Sequence, residues 1–506
     1  VDLRRQAEGG GRLRRRQLNT EHTTGGIWSS RYLAVTVANL TVVAIAAFDG
    51  LAVASALPSI ADDLGRIALL PWVLTGYLAT SAIAVIVAGP VIDAIGVRRT
   101  FRITGTWFLG ASALAALAPT METLIAARVL QGLGGGLVIA VALAAVGLAY
   151  PHELRPKAFA ANSIVWGVMG FGGPAIAGAL LAIGDWRFVF AVKLPITAVA
   201  LAVGWRALPS TRERPTRITT DWIGIAWLAV VVAASLATVA QLGSDWGIVG
   251  ISLAVTIAAA AGYWRHAGRA DTPVLRREHL TRFPLGFVHL STGAILIAGL
   301  AADNYLPIYV HTVRERSIEF AAFSLVFLTV GWTLGAIAFS RVPTTWPETR
   351  TTLAGSTLMI PSLILAWLSI SGGWHLGVIF TTYALIGVSI GLVSTSGVTY
   401  MQRGAAEAEM GRVNSAHQFV RTLCITYAVA IGGAILLATV DARTGDIEAV
   451  RELLAGEETV TIDVPAGTVE AIADGVARAI LVALGVSLAA WVVVSRSHRR
   501  AVAAGV

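Results

Sequence analysis

Fourteen apolar stretches, each long enough to cross a bilayer, constrain this chain more than any other feature. A membrane-crossing helix needs about 17–25 predominantly apolar residues. Such runs read at 33–57, 69–90, 101–119, 122–149, 158–182, 187–207, 221–241, 247–266, 284–310, 319–341, 351–371, 375–398, 412–439 and 471–496. In hydrocarbon the backbone must satisfy its own N–H and C=O groups, so runs of this length fold as helices. The expectation is an all-α integral membrane protein. Only 13% of the 506 residues are charged, against about 25% in soluble domains.

Charge sets the orientation. An even number of crossings puts both termini on one side. With the N-terminus inside, arginine clusters at 4–16, 98–102, 206–217, 265–282 and 496–500, together with Arg155 and Lys157, all fall on the cytoplasmic face. The opposite face keeps only Arg66, Arg187, Arg314, Arg316, Arg443, Arg451 and Arg478. Positive residues concentrate on the cytoplasmic side of membrane proteins, so both termini are expected there. Trp72, Trp186, Trp246 and Trp374 fall at outer helix ends, and Trp205, Trp222 and Trp264 at inner ones, as an aromatic belt at both interfaces requires.

The same layout divides the chain. Residues 1–32 read as a disordered basic tail, 33–207 as a six-helix half, and 208–283 as two linker helices with their loops. Residues 284–497 read as a second six-helix half, and 498–506 as a cytoplasmic tail. Within the second half lies an acidic outer loop, 440–470, with a helical pattern at 445–455 and a short strand pattern at 459–464. The net charge of +8 is accounted for by these loops and does not point to nucleic acid. The lone Cys424 excludes a disulfide framework within the chain. No histidine pair or carboxylate cluster has metal-ligand spacing, so neither metal nor cofactor is expected.

A few polar residues interrupt the runs. Asp49 lies in the first, where a carboxylate is expensive and faces a polar interior. Arg128 lies in the fourth, with Gln131 three residues on and on the same face. Gly132, Gly134, Gly135 and Gly136 thin that helix so that a neighbour can lie close. Gly170, Gly172, Gly173, Pro174 and Gly178 make the fifth run a kinked, thin-walled segment. Lys193, near the outer third of the sixth run, reads as a lysine that snorkels to the surface or touches substrate. In the second half Asp303, near an outer helix end, and Arg421, deeper in its run, stand beside His289, His417 and Gln418. The hairpin Gly89–Arg102 packs Gly89, Asp93, Gly96, Arg98 and Arg99 between two runs.

These motifs resemble the major facilitator superfamily, and within it the fourteen-helix drug:proton antiporters. Gly89, Asp93, Gly96 and Arg98 resemble its motif A, and Arg128-x-x-Gln131-Gly132 its motif B. Gly173-Pro174-x-x-Ala177-Gly178 resembles its antiporter motif C. Asp49 followed by Ala56-Leu57-Pro58, Asp185-Trp186-Arg187-Phe188, Tyr305-Leu306-Pro307-Ile308-Tyr309 and Gly411-Arg412-x-Asn414-Ser415-Ala416 leading into Arg421 are similar to the antiporter group. The resemblance implies a major facilitator fold of two six-helix halves with an inserted helix pair, working by alternating access. It implies proton coupling by Asp49 and Arg128, and a lock formed by Asp93 against the helix beginning near Arg412. Gly173, Pro174 and Gly178 would form the hinge. Gln131, Asp303 and Arg421 would bind substrate or a second proton. Ala94 stands where relatives carry arginine, which implies a weaker lock, backed by Arg98 or Arg99, and a bias towards the inward-facing state.

The expected function is proton-coupled export of hydrophobic or amphiphilic small molecules across a bacterial cytoplasmic membrane. The partners would be substrate, protons and the bilayer, and the protein a monomer. Export of a lipid or native metabolite, or a transport-inactive scaffold, are the alternatives. No nucleophile–base constellation marks an enzyme.

Overall fold

The computed structural model describes residues 25–66, 69–210, 221–241, 245–343, 345–444 and 467–503. Among them every regular element is a helix. In chain order these are α1 Leu33–Leu64, α2 Pro71–Ile95, α3 Val97–Ala116, α4 Met121–Ala149 and α5 Arg155–Ile183. Then come α6 Arg187–Ala207, α7 Trp222–Ala240, α8 Trp246–Ala267, α9 Leu285–Val313 and α10 Phe320–Ser340. The series ends with α11 Glu348–Ser371, α12 Leu376–Gly404, α13 Met410–Thr444 and α14 Thr468–Ala503.

A helix stands at each expected run, and among the described residues ten are long and apolar enough to cross a membrane by length and composition. The two arms of α5, bent by 41°, make an eleventh. In α1 and α7 the apolar stretches covered by the described residues are Leu33–Asp49 and Trp222–Thr238. Three arginines, Arg98, Arg99 and Arg102, crowd the start of α3. The protein is thus a multi-pass membrane protein of at least ten such helices. The arginine-rich tail 1–24 and most of the acidic loop, 445–466, with its helical and strand patterns, lie outside the described residues. Residues 25–32 are not a loose tail: they form turns that bury Ile27 and Tyr32. At the other terminus α14 runs on as helix to Ala503.

Glycine decides how closely the helices approach. A Cβ on Gly136 would sit 2.9 Å from the Ser81 carbonyl carbon on α2, and one on Gly134 would sit 3.1 Å from Phe108 Cα on α3. Helix α4 therefore lies against the backbones of both neighbours, and its Arg128 is carried into the bundle centre. In α5, Pro174 cannot donate to the Gly170 carbonyl, which places the bend. Gly96, at φ +82°, joins α2 to α3 with no loop between them, a conformation that favours glycine.

The core is not uniform along the bundle. At the end carrying Arg98, Arg155 and Arg412, one apolar cluster unites both halves, with Phe101, Val141 and Val146 packed with Val288, Val398 and Val413. Towards the opposite end the core splits. One cluster holds Phe48, Ile60, Val73, Met121 and Phe190, and a separate one holds Leu296, Tyr309, Tyr383 and Ile480. The halves are joined at the arginine-rich end, and each has its own core at the other. Helices α7 and α8 pack on α2 and α13 through Leu228, Val232 and Tyr263 against Ile86, Ala416 and Phe419. The Tyr263 hydroxyl donates to the Leu275 carbonyl at 2.7 Å and accepts from its N–H at 2.9 Å, pinning the chain that leads on to α9.

Candidate functional site

Three helices bring their charges to one buried point. Asp49 Oδ2 on α1 accepts from Arg128 Nη1 on α4 at 2.8 Å. Its other oxygen, Oδ1, accepts from Lys193 Nζ on α6. Gln131, one turn on from Arg128, accepts from the same guanidinium at 2.7 Å and donates to Ser112 Oγ on α3 at 2.8 Å. Arg128 Nε donates to the Val73 carbonyl at 2.9 Å. The Tyr77 ring lies against the guanidinium, 4.2 Å from centroid to Cζ, and the Phe190 ring lies 4.6 Å from Lys193 Nζ. Asp49, Arg128, Gln131 and Lys193 are each no more than 1% exposed. One carboxylate thus faces two cations, and the cluster carries one net positive charge.

Lys193 corrects the sequence reading. It neither snorkels nor lies open to substrate, because a carboxylate at its own depth removes the need for water. In the structure Lys193, Thr197, Ala200 and Gly204 share a buried face of α6, where a lysine needs a polar partner. Trp186 is also misread as a belt residue. It is 1% exposed and donates its indole N–H to Asp63 at 3.1 Å, while Trp72, Trp205, Trp222, Trp246, Trp264 and Trp374 are exposed.

At the arginine-rich end the two halves meet on Asp93. Its carboxylate accepts from Gly411 N at 2.8 Å and Arg412 N at 3.2 Å, at the first turn of α13. Arg412 Nη1 lies 3.5 Å away. A helix N-terminus offers free N–H groups and a positive dipole to such a carboxylate. A Cβ on Gly89 would stand 2.7 Å from Arg412 Cα, so only glycine lets α2 and α13 come this close. Arg98 takes no part. It donates to the Leu208 and Arg206 carbonyls at 2.6 and 2.9 Å and ties α3 to the end of α6. Arg155, read from the sequence only as a marker of sidedness, is a second closing contact. It is buried and donates to the Gly147 carbonyl of its own half at 2.6 Å and to the Gln402 carbonyl of the other at 3.0 Å. Gln402 returns a bond to the Leu143 carbonyl at 3.1 Å.

The sequence pattern that defines the Major Facilitator Superfamily matches residues 40–429. The chain belongs to that superfamily. It is a membrane transporter and not an enzyme. The multidrug transporter protein MdtP of Bacillus subtilis is 26% identical over 79% of this chain and 74% of its own. The probable multidrug-efflux transporter Rv1634 of Mycobacterium tuberculosis is 27% identical over 84% and 91%. The crystal structure of the human organic anion transporter MFSD10 superposes with a TM-score of 0.61 at 14% identity, over 91% of this chain and 100% of that one. At that identity the likeness concerns the fold alone.

The remaining candidate residues of this facilitator do not converge. In α5, Gly173 is buried, while Pro174 and Gly178 face outwards beside the bend. Asp303, buried near the far end of α9, leaves Oδ1 without a hydrogen bond. Arg421 on α13 lies against the Trp332 ring, 5.2 Å from its centroid, and is not paired with Asp303. Gln131 belongs to the Asp49 cluster and not to a separate substrate site.

Proposed function

We propose that this facilitator exports hydrophobic or amphiphilic small molecules in exchange for protons, by alternating access between residues 33–207 and 284–497. The arginine-rich end and both termini would face the cytoplasm, and residues 208–283 would supply two further crossings to a monomer. The observation that carries this reading is the buried Asp49–Arg128–Lys193 cluster. The names borne by MdtP and Rv1634 support the substrate class. In the shut arrangement Asp93 and Arg155 hold the cytoplasmic end closed, and the cleft between the separate cores leads outwards.

The cluster's charge supports one group as the carrier of the exchanged proton. A guanidinium does not deprotonate in a protein, and neutralising Asp49 would leave two buried cations unpaired. Loss of a proton from Lys193 instead leaves one neutral, hydrogen-bonded Asp49–Arg128 pair. Lys193 therefore carries the transported proton, Asp49 holds it in place, and Arg128 keeps Asp49 ionised throughout.

Purified protein in proteoliposomes, with an imposed pH gradient and a panel of fluorescent dyes, tests the reading. Dye should accumulate against its own gradient and stop when an ionophore dissipates the proton gradient. Dye movement indifferent to the gradient would overturn it. Lys193→Met should cut uphill accumulation at least about tenfold, equivalent to ~1.4 kcal/mol of lost coupling, yet leave dye counterflow running. Uphill accumulation at the parent rate would show that the proton travels elsewhere.

A further inference from the structure

Arg421 is a cation with no anion. Among the described residues it makes no hydrogen bond or ion pair; its one close partner is the face of Trp332, and its Nε is buried without an acceptor. The neighbours do not balance it. One turn earlier on α13, His417 stacks on His289 of α9, with ring centroids 5.5 Å apart. Both are buried, and both nitrogens of His289 and Nδ1 of His417 lack partners. An imidazole supplies either no charge or a further positive one.

The acid of this half is too far along to help. Helices α9 and α13 run side by side in register: His289 meets His417, Gly293 faces Cys424, and Ala301 and Tyr305 face Gly432. Arg421 thus lies level with the 289–293 turn. Asp303 stands ten or more residues further on, at least ~15 Å away at 1.5 Å per residue. The first half does not supply the missing charge either: its cluster of Asp49, Arg128 and Lys193 is net positive, and Asp93, at the first turn of α13, is taken up by Gly411 N, Arg412 N and the Arg412 guanidinium.

Arg421 is half-buried and not enclosed on every side. Along α13, Arg421 to Tyr427 are seven consecutive residues that are all partly exposed. A helix packed on one face alternates buried with exposed positions. Within this stretch Leu423 packs on the α7–α8 cluster and Cys424 and Ile425 on the core of the second half, while Arg421 keeps part of its surface open. Thr333, next to Trp332, donates to the Ser163 carbonyl of α5 at 3.0 Å, so the ring under Arg421 stands beside a contact between the two halves.

We propose that the transported molecule is an anionic amphiphile, with its carboxylate, sulfonate or phosphate group on Arg421 and its apolar body against Trp332. A planar guanidinium matches such groups with two parallel hydrogen bonds, and the free imidazole nitrogens stand one turn away. A cationic compound meets an uncompensated positive charge at the same place, which is selection by repulsion. The proposal deepens the transport reading above and rests on it.

The test uses fluorescein and rhodamine 6G, which share a xanthene ring system and differ in the sign of their charge. Binding is followed by fluorescence anisotropy on the full chain in detergent, and transport in proteoliposomes under a pH gradient. Fluorescein should bind more tightly than rhodamine 6G. Arg421→Gln should weaken fluorescein about tenfold or more and strengthen rhodamine 6G, inverting the preference, while Arg421→Lys restores it in part. Excess inorganic phosphate should displace fluorescein poorly, since it lacks the apolar body; full displacement would reduce the site to one for simple anions and overturn the proposal. Tighter rhodamine 6G binding by the parent, or an unaltered ratio in Arg421→Gln, would also overturn it. If Arg421→Gln does not reach the membrane, Trp332→Leu decides: it should weaken both dyes and keep the preference for the anion. Binding that follows these rules without proton-driven transport would count against proton coupling and not against the anion site.

Discussion

Asp49→Asn is expected to abolish proton-driven transport and to destabilise the fold. The carboxylate is the sole anion of a cluster with two buried cations. Removing one partner of a buried pair costs about 3–5 kcal/mol, because the other charge stays behind unpaired. Asn can still accept one hydrogen bond, but it cancels neither the Arg128 nor the Lys193 charge. The sequence alone, with Arg128 as the single expected partner, points to intact folding, and Lys193 changes that expectation. The pairing also supplies a control that separates stability from mechanism. Asp49→Asn with Lys193→Met leaves one buried cation instead of two and should recover a large part of the lost melting temperature. It should recover none of the uphill transport. A single variant Asp49→Asn that melts with the parent and still accumulates dye would remove Asp49 from both roles.

What the sequence could convey follows from the range of each interaction. Arg128 and Gln131 were legible as one polar face because they are neighbours on one helix, and Gly96 was legible because a turn with positive φ is a local matter. That α2 meets α13 beside Gly89 was implied by the resemblance to the superfamily, since a glycine at a helix end admits a neighbour without naming it. Lys193 was not. Hydropathy weighs a lysine by its depth and says nothing of a carboxylate on a helix 144 positions away in sequence. Arg155 reads as a cytoplasmic charge and Arg98 as a prop of the lock, because a sequence does not show which backbone carbonyls a guanidinium will meet. The number of crossings stayed open at α3, whose start carries Arg98, Arg99 and Arg102 and so lowers the hydropathy of a run of ordinary length.

Asp93→Asn should open the arginine-rich end. In the structure the two halves meet there through a carboxylate that uses both oxygens, one on Gly411 N and one on Arg412 N, with the Arg412 side chain beside it. Asn keeps one acceptor and turns an NH2 group towards N–H donors, so one bond and the charge are lost together. A hydrogen bond to a charged group contributes about 1.5–3 kcal/mol, which is roughly a 10- to 150-fold change in the ratio of shut to open molecules. The arginine missing at Ala94 does not leave the lock unarmed, because Arg412 supplies a guanidinium from the other half. The shut arrangement seen here is therefore held without the expected second anchor. Arg155 still bridges to Gln402 in the variant, so the bundle should open without falling apart. Val398, buried in the shared cluster, reports on that opening. With Cys424 replaced by Ser, Val398→Cys should react with maleimide at least about tenfold faster in Asp93→Asn than in the parent. Gly89→Ala offers an independent route to the same state, because its Cβ would press on the Arg412 backbone while every charge remains. If both variants label like the parent, Asp93 is a turn residue, and the halves are held shut by Arg155 and the apolar cluster alone.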